Sequence, residues 1–355
     1  MKASKFLKLT GIGAATAMAL GLASNNALAL ELDIYGVGHL SVDSNDNGTT
    51  SQMYVASNSS RLGFKGNQNI SNTLKLIFQF ESGVDLTGEG TNDGNGGGTS
   101  NNLFTTARDS FAGLSGDFGT IMAGRFGGLN QWVYDYNLFA DQIGDLGNVW
   151  GGTGLPGRAS STVAYTTPDI NGFDALVAYH PENGTADGDI PIIKLNYKTG
   201  NLKFGLGNMS VGKGTGNPEH NVTAFTGSYN PGGWSVGGGF QSESDIGGTA
   251  GNDRDSYTFG ASFKVGDNGA LKAQYTASDA DAANADATQI AVGYDYNLDK
   301  ATTVYVAYSS TDNDANAAFS TNNYGHGKAV TPANGQDPAS ISIGVVYKFG
   351  VGLVK

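Results

Sequence analysis

Ile290-Ala291-Val292-Gly293-Tyr294-Asp295-Tyr296-Asn297-Leu298 sets a large apolar or aromatic side chain at every second position, with Ala, Gly, Asp and Asn between. Period two is the mark of a β-strand with one apolar and one polar face. The same alternation runs through Leu74-Lys75-Leu76-Ile77-Phe78-Gln79-Phe80-Glu81 and Tyr257-Thr258-Phe259-Gly260-Ala261-Ser262-Phe263-Lys264. The intervening set is rich in Gly, Ser, Thr and charge, a face suited to water. Two folds accommodate such strands: a soluble sandwich with polar faces outward, and a barrel whose apolar side chains meet lipid while polar ones line a lumen. Tyr and Phe near the strand ends match the aromatic girdles of membrane barrels and favour the second.

Composition agrees. Glycine accounts for 55 of 355 residues and hydrophobic residues for only 39%, sparse for a large globular core. Cysteine is absent, which excludes disulfides, thiolate metal sites and cysteine nucleophiles. Short turns such as 67–72, 169–172, 199–201 and 231–233 trade places with long Gly/Asn/Asp-rich stretches such as 85–101, 245–253 and 311–338. Short turns at one end and long loops at the other are the plan of a transmembrane barrel. The alternating segments between them number about sixteen, an even count that closes an antiparallel barrel.

At the N-terminus, Lys2, Lys5 and Lys8 precede an apolar stretch from Gly11 to Leu22 and a small-x-small site at Ala27-Leu28-Ala29. This reads as a cleaved signal peptide, residues 1–29, ahead of a single barrel domain, 30–355. The apolar run is shorter than the ~20 residues a helical span needs. Cleavage removes three lysines and no acids, taking the net charge from −12 to −15. A chain this acidic is not expected to bind nucleic acid.

The motif Ser60-Arg61-Leu62-Gly63-Phe64-Lys65-Gly66 resembles the second strand of Gram-negative general porins. Arg108-Asp109-Ser110-Phe111-Ala112-Gly113-Leu114, with Gly116-Asp117-Phe118-Gly119-Thr120 and Gly124-Arg125, is similar to a later hairpin of that family. Ile341, Ile343, Val345, Tyr347 and Phe349 resemble the C-terminal assembly signal of outer-membrane barrels, which ends on an aromatic residue. Here Gly350 to Lys355 continue past Phe349, so either the signal acts internally or the alternation runs on through Val351 and Leu353.

The resemblance implies a homotrimeric outer-membrane channel, in contact with lipid bilayer and lipopolysaccharide, that passes ions and small polar solutes without cofactor or catalysis. It implies a long third loop, 127–157, folded into the lumen and starting at Trp132-Val133-Tyr134-Asp135. Family spacing puts constriction acids at Asp141 and Asp145, with Asp135 nearby, facing Arg61, Arg108 and Arg158. Parity supports these arginines: Arg61 opposes the Leu62/Phe64 face, Arg158 the Val163/Tyr165 face and Arg108 Phe111. Arg125 shares parity with Ile121 and Ala123 and is read as a latch for a loop or subunit. Where some members carry a lysine on strand 1, this chain has Val37.

Ion preference is pulled two ways. Acidic loops attract cations, whereas three arginines against two aspartates favour anions at the narrowest point, and the expectation is a weak cation preference. The alternative reading is a substrate-specific channel with a saturable lumen site; a plugged structural barrel is a further rival.

Other chemistry is thinly represented. His39, His180, His220 and His326 sit on separate segments without metal-ligand spacing, and no motif marks a Ser/His pair. Asp43-Ser44-Asn45-Asp46-Asn47-Gly48 matches the front half of a calcium loop, but the twelfth position is Tyr54 rather than Glu, so a solvated turn is expected.

Overall fold

The computed structural model describes residues 30–88, 104–127, 135–150, 157–182 and 184–354. Residues 1–29, expected to be a signal peptide, Trp132 to Tyr134 and parts of two long connections lie outside the described residues.

Eighteen strand segments form one antiparallel sheet: β1 (Leu30–Asp46), β2 (Ser51–Ser57), β3 (Arg61–Asn69), β4 (Leu74–Val84), β5 (Phe104–Ala107), β6 (Ser110–Gly116), β7 (Gly119–Gly127), β8 (Arg158–Thr166), β9 (Phe173–His180), β10 (Ile190–Thr199), β11 (Leu202–Val211), β12 (His220–Tyr229), β13 (Trp234–Ser244), β14 (Arg254–Val265), β15 (Gly269–Ala280), β16 (Ala287–Asn297), β17 (Thr302–Asn313) and β18 (Ala339–Val354). Both β2 and β3 pair with β1, and both β5 and β6 pair with β4, so each couple is one interrupted strand and the barrel has sixteen. It closes where β18 pairs with β1, from Glu31 opposite Val354 to Asp46 opposite Ala339. Closure leaves no unpaired sheet edge to meet lipid. The alternation therefore runs on past Phe349, with Val351 still exposed on the outer side.

The molecule is inside-out relative to a soluble protein. Phe80, Phe259, Phe263, Ile290 and Ile343 are more than half exposed, while Ser41, Gln241, Ser256, Gln289 and Ser342 are buried. Rings gather by the short turns: Phe173 stacks on Tyr197 with centroids 4.0 Å apart, and Tyr229 meets Trp234 at 5.4 Å. These amphipathic rings form an aromatic belt of the kind that sits at a membrane interface.

The fragment resembling a calcium loop is corrected. Asp43 and Asn45 belong to β1 and are buried, so only 47–50 turn. Residues locked in a strand cannot wrap an ion as a calcium loop does. Among the described residues no group of three or more ligating side chains could hold a metal.

Candidate functional site: the barrel interior

Residues 135–150 lie against the polar face of the wall. Thr226 Oγ1 donates to Asp135 Oδ2 at 2.8 Å, and the Tyr136 hydroxyl meets Ser235 Oγ at 2.9 Å. Lys272 Nζ donates to the Leu138 carbonyl (2.9 Å) and to Gln142 Oε1 (2.8 Å) and pairs with Asp295 (2.9 Å). Gln241 Nε2 donates to the Trp150 carbonyl at 3.2 Å. Apolar contacts add to these bonds. Phe139 and Ile143 pack with Ala291, Tyr305 and Ala307, and Leu146 and Trp150 join Phe126, Ala159, Ile192, Met209 and Val222.

Gly144 shows how close the approach is. Its φ is +78°, and a methyl added there would collide with the Cβ of Ala291. Gly144→Val combines a left-handed backbone with that clash, so the segment must leave the wall. The barrel should still assemble, but single-channel conductance and open-state current noise should both change; an unaltered trace would refute the packing.

The two interrupted strands carry the arginines. Ser59, at φ +46°, breaks β2 from β3, and Arg61 opens β3 two residues on. Arg61 Nη1 donates to the Ser59 carbonyl at 2.9 Å and lies 3.6 Å from Asp141 Oδ2, both side chains about a quarter exposed. Arg108 occupies the break between β5 and β6. Its Nε donates to Glu81 Oε1 at 2.6 Å, and the Tyr35 hydroxyl donates to Glu81 Oε2 at 2.8 Å. Glu81 opposes the exposed Phe80, so this pair is on the inner side.

The expected ladder needs four corrections. Asp145 does not face the arginines across water; it is fully buried inside the segment. Its carboxylate accepts bonds from Asn137 Nδ2, Asp141 N and Gly147 N, which tie the loop together. Burial, and then the charge of Asp141, push its pKa up to about 7. Asp135 sits apart, held by Thr226 of β12. Arg158 cannot be placed by parity, because a bulge shifts register between β7 and β8. Ala159 joins the inner cluster with Trp150, while Arg158 Nε donates to Asp109 at 2.5 Å. The parity of Arg108 also ran across a break: Phe111 packs inward on Phe126, with centroids 6.2 Å apart. Arg125 donates to the Ala107 carbonyl at 2.9 Å and to Ser160 Oγ at 2.8 Å.

Glu81, Asp109, Lys194 and Lys272 were missed as lumen or pairing groups. Alternation marks three of them: Glu81 opposes Phe80, Lys194 opposes Ile193 and Leu195, and Lys272 opposes Leu271. Asp109, in a strand break, gives no such signal.

Because Arg108 and Glu81 are each only 8% exposed, breaking the pair leaves a buried charge, at a cost of about 3 to 5 kcal/mol. Arg108→Ser should thus lower the unfolding temperature in detergent, and Glu81→Gln added to it should recover part of the loss. Equal losses in the single and double variants would show that the two are not coupled.

A sixteen-stranded barrel, apolar outside and polar within, with a charged segment lying on its inner wall, defines an outer-membrane diffusion channel. The sequence matches the family described as Gram-negative porin over residues 14–316, and the chain belongs to that family. It is 33% identical to outer membrane porin protein 32 of Delftia acidovorans over 69% of this chain and 72% of that one. It is 30% identical to a chitoporin of Vibrio furnissii over 56% and 55% of the two. The anion-selective porin from Comamonas acidovorans superposes with a TM-score of 0.77 at 26% identity, over 90% of this chain and all of that one. The protein is thus an outer-membrane porin of a Gram-negative bacterium, forming a water-filled channel for passive diffusion.

Proposed function

We propose that residues 135–150 are the constriction loop of a homotrimeric general porin, and that Arg61, Arg108 and Asp141 set its transverse field. The carrying observation is the meeting of a loop carboxylate and a wall guanidinium at 3.6 Å, with both side chains still reached by water. A partly hydrated pair sorts ions and orients dipolar solutes without binding them tightly, which is what permeation requires. Arg125 is assigned a latching role at the β5–β6 break, Arg158 a bracing role through Asp109, and Tyr347 and Phe349 the assembly signal. Maturation after Ala29 belongs to the same reading.

The acidity of the chain supports a weak cation preference, although the Comamonas relative is described as anion-selective. Planar-bilayer recording of the mature protein tests the proposal: openings in steps of three and a cation-directed reversal potential in a salt gradient are expected. Single steps would refute the trimer, and an anion-directed potential the preference.

A saturable channel is the second reading, favoured by a recess of about 420 Å³ lined by Asp135, Tyr136, Asp174, Lys194, Asn196 and Lys203. Flux into liposomes that levels off with solute concentration would establish it; linear flux supports the general porin.

A further inference from the structure

We propose that residues 321–327, within the connection between β17 and β18, position the constriction loop, so that two inward connections rather than one set the pore. The inference rests on residues 135–150 being the constriction.

One side of this strap holds the loop. Gly144 N donates to the Thr321 carbonyl at 2.7 Å, Asn148 Nδ2 donates to the same carbonyl at 2.8 Å, and Tyr324 N donates to Asn148 Oδ1 at 2.8 Å. Asn148 is 4% exposed and uses both ends of its amide on the strap. The other side holds the wall at the strand break beside Arg61. Ser59 Oγ donates to the Gly325 carbonyl at 3.0 Å, and Gly327 N donates to Asn58 Oδ1 at 2.9 Å. His326 Nε2 lies 3.3 Å from Asp43 Oδ2 of β1, both side chains fully buried. Between the two sides the strap passes over the constriction acid: a Cβ at Gly325 would lie 2.6 Å from Asp141 Oδ1.

Thus the loop bearing Asp141 and the wall bearing Arg61 are tied to the same short piece of backbone. A connection as long as 314–338 is uncommon without a function of its own. Buried amides in a water-accessible barrel require partners, and these are supplied in matched sets on both faces of the strap. If the strap were released, Asn148 and Asn58 would exchange its backbone for water. The loop would then move relative to Arg61 although its own internal bonds, centred on Asp145, remained intact.

The test uses the full protein in planar bilayers, with Asn148→Ala, Asn58→Ala and a pair of cysteines at Asn148→Cys and Tyr324→Cys. The chain has no other cysteine, so that pair can be closed and reopened without competition. Both alanine variants should show higher conductance, noisier open states and a low-salt reversal potential displaced in the same direction as Asp141→Asn. The oxidised cysteine pair should restore quiet, parent-like openings, and reductant should bring the noise back. A purely structural role would change thermal stability but not the reversal potential. If Asp141→Asn moves the reversal potential while the alanine variants and the reduced pair match the parent in conductance, noise and potential, the strap is overturned and the constriction reading stands. If Asp141→Asn is also silent, the constriction reading fails and takes the strap with it.

Discussion

Deleting residues 135–150 is expected to raise single-channel conductance by about twofold or more and to widen the size cutoff for sugars, since ion flow is governed by the narrowest cross-section. The segment fills the interior with Phe139, Ile143, Leu146, Val149 and Trp150, all at most 1% exposed. Its removal replaces these side chains with water. The barrel should survive, because its strand ladder closes independently of the segment and satisfies the backbone within the membrane. Stability should nevertheless fall, as apolar inner-wall residues such as Met209, Val222 and Ala291 become wet. Liposome swelling with sugars of graded size measures the cutoff directly. An unchanged cutoff and conductance would show that the segment does not restrict the pore.

Neutralising Asp141 should have the largest effect on selectivity. Asp141→Asn preserves size and removes the negative member of the Arg61 pair, so ion preference should move toward anions. A unit charge acting over ~9 Å contributes ~0.5 kcal/mol at the dielectric of water and ~2 kcal/mol at an effective value of 20, or ~2- to ~30-fold in ion partition. With a Debye length of ≈ 8 Å at physiological salt, the shift should be large in dilute salt and fade as salt rises. Arg61→Ser should move the reversal potential toward cations and also raise conductance, since a bulky side chain leaves the lumen. Asp145→Asn should shift it less, because that carboxylate is sealed inside the loop and burial holds its pKa well above the usual carboxylate range. No displacement for Asp141→Asn at low salt would show that its carboxylate does not line the path of ions.

Comparison of sequence and structure divides by range. Period-two alternation in segments such as 74–81, 257–264 and 290–298 was enough to establish strands, their lipid-facing side and, through the turns, a count of sixteen. Those properties are local, because neighbouring side chains on a strand must point to opposite faces whatever the remainder of the chain does. The alternation is lost where the inner wall is apolar. Ile190 and Ile192 face inward while Ile193 and Leu195 face out, so β10 opens on an unbroken apolar run, Ile190 to Ile193, before Lys194. The reason for that run, a landing surface for Trp150, comes from a different part of the chain.

The site was legible in its residue types and only partly in its geometry. Arg61 and Asp141 were named from motifs, and the fold brings them together. Asp145, four residues further on, turns inward to bind three N–H groups, a choice made by the loop's own packing. Arg108 and Arg158 were judged by parity, which fails at a strand break and at a bulge because one irregular residue reverses every side chain beyond it. Their partners, Glu81 and Asp109, lie 27 and 49 residues away along the chain. The sequence by itself therefore determined the barrel, its orientation toward lipid and the chemistry available to its lumen. Only the tertiary structure decided which charges meet, because pairing across a closed sheet depends on register and loop path, which no local pattern encodes.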